Sequence, residues 1–299
     1  MARLTRLQAM EHALPRIRSV ISAGDGTVYA FADLAQIFTD NKESWLLPRV
    51  TTLGDFTSFL QTKSLLLPVD MKLPGRKAGR YISGKVSPAE LVLSLQGKSY
   101  LTHYTALYFH GLTINIPKTI YTNLEQTPKP STGASSMNQD SIDLAFSRAM
   151  RTTNNIAEFD FDGERYRAFL LNGQFQNRLG VTEIDHEGRK LPITTLERTL
   201  IDIAVRPSYA GGVTEVLEAY THARDRISVN TLMANLQAMK FVYPYHQSIG
   251  FYLERAGYKD NVIKLAAAGN QQFDFYLTYQ MRNKKYSKRW RLYYPAELD

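Results

Sequence analysis

Val69-Asp70-Met71-Lys72-Leu73-Pro74-Gly75-Arg76-Lys77-Ala78-Gly79-Arg80-Tyr81-Ile82 sets four cations, Lys72, Arg76, Lys77 and Arg80, around a Pro-Gly turn. The stretch follows directly on an amphipathic helical segment. A helix followed by a two-stranded basic wing is how a winged helix-turn-helix meets DNA: the helix enters the major groove and the wing lies along phosphates.

Upstream of the turn the pattern is helical. From Thr51 to Lys63, the residues Leu53, Phe56, Phe59 and Leu60 make a buried stripe, which leaves Thr51, Thr52, Asp55, Ser58 and Thr62 outward. Leu7, Met10, Leu14, Ile17 and Ile21 share a helical face, with Pro15 expected to split that helix. Gly24-Asp25-Gly26 predicts a turn, and a short helix is expected over Phe31 to Phe38. Leu65 to Leu67 reads as the first wing strand and Arg80 to Ser83 as its partner. Three helices and a hairpin in about 85 residues is the winged-helix order. Ser83 to Pro88 reads as a linker, which divides the chain into a DNA-binding domain over 1–86 and a C-terminal domain over 87–299. Residues 1–86 hold 12 basic and 7 acidic side chains, a net +5. The candidate DNA contacts are Arg49, Thr51, Thr52 and Ser58 on the helix side and Lys72, Arg76, Lys77 and Arg80 on the wing. Hydroxyls bond phosphates or bases, and arginine binds guanine in a bidentate way. A polar helix face is usually only a solvated face; the wing beside it is what favours DNA.

The 299 residues are 44% hydrophobic and 21% charged, as in globular folds. A net charge of +8 and a pI of about 9.4 favour polyanionic partners. The chain has no cysteine, which excludes disulfides, thiolate nucleophiles and Cys-ligated metals. No apolar signal core follows the first residues, and no run approaches a membrane span of roughly 18 apolar residues. The expected setting is cytoplasmic.

Beyond the linker, Pro88 to Leu95 and Tyr100 to His110 read as helices, and Thr127 to Asp140 as a surface loop. Hairpins are expected around Asp162-Gly163 and Glu187-Gly188. Thr194 with Glu197 makes a capping box for a helix over Leu196 to Val205. Further helices are expected from Val213 to Ala223, from Ser228 to Met239 and from Tyr245 to Ala256. The tail from Phe273 to Pro295 reads as two strands with a basic turn. There Lys284, Lys285, Lys288 and Arg289 form either a second phosphate-contacting patch or a solvated turn over inward-packed Trp290 and Tyr294.

Enzymatic signals are thin. His103 and His110 are seven apart, whereas helical metal pairs prefer four. Asp160, Asp162 and Glu164 line one side of a hairpin, and with Glu187 they raise the alternative of a magnesium-dependent nuclease. The lysine that a PD-(D/E)xK site needs is missing after Glu158-Phe159-Asp160 and after Glu187-Gly188. No phosphate-loop, dinucleotide-binding or nucleophile-elbow motif occurs. The expectation is a non-enzyme with no cofactor and no metal. A protein-only interaction module is the other alternative.

Four segments in order carry a family resemblance: Tyr100 to Thr113 with its His110-Gly111-Leu112-Thr113 end; Leu196-Glu197-Arg198-Thr199-Leu200-Ile201-Asp202 followed by Pro207 and Gly211-Gly212; Ile249 to Glu254; and Lys288 to Leu292. With the predicted winged helix in front, the chain resembles the AbiEi-type antitoxins. The resemblance implies an antitoxin of an AbiE abortive-infection (type IV toxin–antitoxin) system, active in phage defence. Such a protein binds inverted repeats in its own promoter through the winged helix, as an autorepressor, and its C-terminal domain counteracts a toxin of nucleotidyltransferase fold. The recognition-helix region is not a close copy of the family, so its base-contacting positions rest on geometry. Arg198 and Asp202, four apart, either tie helix to sheet as a buried pair or face the toxin or its target.

Overall fold

The computed structural model describes residues 4–22, 26–128 and 137–299. In chain order the elements are α1 (Arg6–Ile21), β1 (Gly26–Ala30), α2 (Phe31–Asn41), α3 (Leu53–Thr62), β2 (Leu67–Leu73), β3 (Arg76–Gly84), α4 (Pro88–Leu93), β4 (Tyr100–Leu101), α5 (His103–Phe109), β5 (Thr119–Asn123), α6 (Gln139–Ser147), β6 (Ile156–Phe161), β7 (Glu164–Leu171), β8 (Val181–His186) and β9 (Arg189–Thr194). There follow α7 (Leu196–Val205), α8 (Val213–His222), α9 (Val229–Ala238), α10 (Tyr245–Arg255), α11 (Asp260–Ala267), β10 (Phe275–Tyr276), β11 (Lys284–Ser287) and β12 (Leu292–Pro295). The fold is α+β. Two compact units divide it: Met1–Gly97 with Asn155–Ala168, and Lys98–Asn154 with Phe169–Asp299.

In the first unit α1 runs unbroken through Pro15. The proline is exposed, and the buried face of Ala9, Met10, Ala13, Ile17 and Ile21 keeps the helix docked. That face differs from the predicted one: Leu7 is exposed and alanines take the core positions. Phe38, Trp45 and Phe56 stack at the centre of the core, joined by Phe59, Leu60 and Leu66. β1 pairs antiparallel with β3, and β3 with β2, with Lys72 opposite Lys77. The Gly24-Asp25 part of the predicted turn lies outside the described residues. The unit also takes in the later β6, which pairs antiparallel with β2 at Lys72 opposite Glu158, so the strand order is β1-β3-β2-β6-β7. The unit therefore extends past residue 86. It includes Glu158, Asp160, Asp162 and Glu164, and its whole sequence holds 14 basic and 12 acidic side chains, a net +2. The other +6 of the chain belongs to the second unit.

In the second unit, which takes Phe169–Leu171 at the end of β7, the strand order is β7-β5-β4-β9-β8. The predicted helix over Tyr100 to His110 is shorter than expected. Tyr100-Leu101 pairs antiparallel with β5 and parallel with β9, and the helix starts at His103. The loop expected over Thr127 to Asp140 lies largely outside the described residues, although Gln139 and Asp140 already belong to α6. Both predicted hairpin turns place an acid and a glycine at positive φ, Asp162 (50°) with Gly163 (75°) and Glu187 (52°) with Gly188 (78°). This is the geometry two-residue hairpins require. Thr195, not Thr194, caps α7 by accepting from the Arg198 amide, and Glu197 instead accepts from the Ser228 amide. Helices α7 to α11 and the three-stranded sheet β10-β12-β11 enclose a second core.

Trp290 is the largest fully buried side chain of that core, and its Nε1 donates to Glu254 at 2.5 Å. Its indole lies against Gly250 of α10 so closely that a Cβ there would overlap the ring. Gly250→Ala is expected to destabilise the fold by about 1–3 kcal/mol through overpacking, despite alanine's better helix propensity. The urea unfolding midpoint reads this; an unchanged or raised midpoint contradicts the packing.

Candidate nucleic-acid interface

Helix α3 starts at a capping box. Thr52 Oγ1 accepts from the Asp55 amide at 3.1 Å and donates to Asp55 Oδ2 at 2.8 Å, and that oxygen also accepts from the Thr52 amide. Arg6 Nη1 closes on the same oxygen at 2.9 Å. These bonds, the Thr52 amide first, hold the Asp55 carboxyl below its ordinary pKa. The Thr52 hydroxyl is thus occupied in building the helix. Thr51 is only 2% exposed, which corrects its predicted outward position: it lies at the end of the 42–51 connector, where Lys42 Nζ donates to the carbonyls of Arg49 (2.9 Å) and Thr51 (2.7 Å). Those two bonds curl the connector inward and leave the Arg49 side chain exposed.

Ser58 is exposed, as predicted from the stripe. It shares its helix face with Gly54 and Gln61, at spacings of four and three, and both are exposed. That face therefore carries the Ser58 hydroxyl and the Gln61 amide beside a glycine with no side chain, so another backbone can approach closely.

Arg76 and Lys77 stand exposed at the tip of the β2–β3 hairpin, and no carboxylate among the described residues pairs with either. Arg80 departs from its predicted role on the wing. Its Nε donates to Ser94 Oγ and its Nη2 to the Ser94 carbonyl, both at 2.9 Å, while Nη1 reaches the Gly79 carbonyl. Burial pulls its pKa below the usual arginine value. The guanidinium ties β3 to the turn after α4 and is not available to phosphate. Lys72 is exposed but faces Glu158 across the β2–β6 pair, and Asp160, whose carboxyl Arg165 chiefly holds below its ordinary pKa, also feels the Lys72 charge. Its charge is partly cancelled.

Two of the four carboxylates raised for a nuclease lie beside arginines. Asp160 accepts from Arg165 Nε at 3.0 Å, and Glu187 lies 3.9 Å from Arg189. The tail cluster is also largely paired. Lys284 sits over the Tyr276 and Tyr293 rings, Lys285 pairs with Asp299, and Arg289 pairs with Glu254 (2.5 Å) and Asp260 (3.7 Å). Lys288 is exposed. Trp290 and Tyr294 are buried, so this end of the chain follows the inward-packed reading, not that of an open cationic patch.

In the second unit, Arg198 and Asp202 form the predicted buried pair, Nε to Oδ1 at 2.8 Å, with Arg198 Nη1 donating to the Leu179 carbonyl at 2.6 Å. Asp202 Oδ2 accepts from Thr102 Oγ1 at 3.0 Å, and that hydroxyl contacts His103 Nδ1 at 3.1 Å. Burial pushes the His103 pKa down from 6.5 to about 4. An unfolded histidine takes up a proton near pH 6.5, which the folded ring refuses until about pH 4. Stability is therefore full above pH 6.5 and falls as pH drops through that window, by on the order of 3 kcal/mol. His103→Asn, which tolerates the same backbone, is expected to remove that part of the slope. His110 and His246, also lowered by burial, retain theirs. Identical acid slopes in the two proteins contradict the assignment.

No protein-family model matches the chain, and no curated protein matches it. Among solved structures, the crystal structure of the RV2827C protein from Mycobacterium tuberculosis is similar, with a TM-score of 0.59 and 14% identity over 94% of this chain and 91% of that one. At that identity the likeness speaks for the fold alone. No helix among the described residues is long and apolar enough to cross a membrane.

Proposed function

We propose that the first unit is a winged helix-turn-helix and that the protein is a DNA-binding antitoxin. It represses its own operon in the cytoplasm and counteracts a nucleotidyltransferase-like toxin. One observation carries the DNA part: the order helix, strand, two helices and hairpin, with β3 between β1 and β2, joins a helix bearing exposed Ser58 and Gln61 to a hairpin tip bearing exposed Arg76 and Lys77, which have no carboxylate partner among the described residues. Helix α3 enters the major groove, and Arg76, Lys77 and Arg49 neutralise flanking phosphates. The unit's net +2 leaves affinity to those local cations and not to bulk charge. The four ordered AbiEi-like segments support the antitoxin part, and all lie in the second unit.

Footprinting of the DNA upstream of the protein's own gene tests the first part, with protection of an inverted repeat as the expected result. No protection at physiological salt contradicts it. Co-expression with a neighbouring nucleotidyltransferase-like gene tests the second: growth arrest by that gene alone should be relieved by the full chain.

A further inference from the structure

The second unit holds a cavity of about 540 Å³ that DNA binding leaves without a role. Its wall includes the buried Thr102–His103–Asp202 chain, and a count of protons decides what that chain presents. Both Asp202 oxygens accept, one from Arg198 and one from Thr102. The Thr102 hydroxyl has a single proton and gives it to Asp202. The 3.1 Å contact with His103 is therefore donated by Nδ1–H. A neutral imidazole protonated at Nδ1 has a bare lone pair on Nε2. No bond from the described residues reaches that nitrogen, although His103 is only 7% exposed. The contrast with His110 is direct, because its Nε2 is bonded to the Thr194 carbonyl at 2.7 Å. His103 is also held at φ 50°, a left-handed conformation that costs a non-glycine residue on the order of 1–2 kcal/mol and concentrates at functional sites.

Two more features of the cavity point to a ligand. Arg206 lies half-buried in the wall, donating Nη1 to the Arg151 carbonyl at 2.9 Å, and neither Arg206 nor Arg151 has a carboxylate partner among the described residues. A half-buried guanidinium at Arg206, with the exposed Arg151 beside it in the lining, suits a phosphate. Tyr209, Tyr243 and Tyr279 give the cavity aromatic sides that suit a flat ring.

We propose that this cavity binds a mononucleotide, with the base against the tyrosines and donating an N–H to His103 Nε2, and the phosphate held by Arg206 and Arg151. A nucleotide combines the three required features: a planar ring, a donor edge and a phosphate. The volume lies within the usual range for small-molecule sites, roughly 300–1,000 Å³. The proposal does not rest on DNA binding, because every group it uses lies in the second unit.

Calorimetric titration of the full chain with AMP, GMP, CMP, UMP and inorganic phosphate tests it. At least one nucleotide is expected to bind at sub-millimolar concentration and phosphate alone far more weakly. Arg206→Gln is expected to weaken binding at least tenfold, the effect of losing a charge-assisted bond. His103→Asn, checked for folding by circular dichroism, should weaken the nucleotide but not phosphate. Promoter binding should be unchanged in both variants, which separates this site from the DNA-binding reading. Three results would each overturn the proposal: no nucleotide binds at roughly millimolar concentration, phosphate binds as tightly as every nucleotide, or Arg206→Gln leaves the affinity unaltered.

Discussion

Replacing Arg49, Arg76 and Lys77 together by glutamine is expected to lower affinity for duplex DNA several-hundredfold at about 0.1 M salt. Each phosphate contact contributes ~0.9 of a decade in affinity per decade of salt, so three contribute between two and three decades over the interval from 1 M. The same variant should flatten the plot of log affinity against log salt by ~2.7, equally for promoter and unrelated DNA. All three side chains are exposed and lack an acidic partner among the described residues, so the fold should tolerate the change. Arg80→Gln is the contrasting control. It removes the bonds to Ser94 and Gly79, so it should lower stability while leaving the salt slope alone. Lys72→Gln should fall between the two, because Glu158 already faces that lysine. Gel-shift titrations across a salt series read all three proteins. An unchanged slope in the triple variant removes the hairpin from the interface.

Asp202→Ala is expected to destabilise the fold by about 3–5 kcal/mol, the largest stability effect among these substitutions. The change leaves the Arg198 guanidinium buried without its carboxylate, and it takes away the acceptor of Thr102, which orients His103. Replacing both partners, as Arg198→Met with Asp202→Leu, should recover much of the loss, since two apolar groups leave no uncompensated charge. Urea unfolding of the single and double variants measures the difference. A loss below ~1 kcal/mol in Asp202→Ala means that water reaches the site and the charge is not desolvated. The double variant should keep any promoter binding of the wild type, because both residues lie in the second unit.

Local features of the chain were legible before its structure. The α3 stripe, the Asp162-Gly163 and Glu187-Gly188 turns and the Arg198–Asp202 pair each depend on residues no more than about four apart. Backbone preference and side-chain reach act over that distance, so sequence spacing is enough to predict them. Strand β1, helices α6 and α11 and the correct cap of α7 were missed, because short or weakly patterned segments take their conformation from what they pair with or pack against.

Decisions that join distant residues were made only in three dimensions. Arg80 reads as a phosphate ligand in the sequence, yet Ser94, fourteen residues on, holds it. Thr51 reads as outward until Lys42 draws its carbonyl in. The basic excess of residues 1–86 falls from +5 to +2 once the unit takes in residues 87–97 and 155–168, which add five carboxylates and two arginines. Thr102 and Asp202, a hundred residues apart, fix which nitrogen of His103 keeps a lone pair. Local spacing determines which helices and turns form. The availability of a charge or a lone pair depends on which groups the fold brings within about 3 Å, and neighbours along the chain do not encode that.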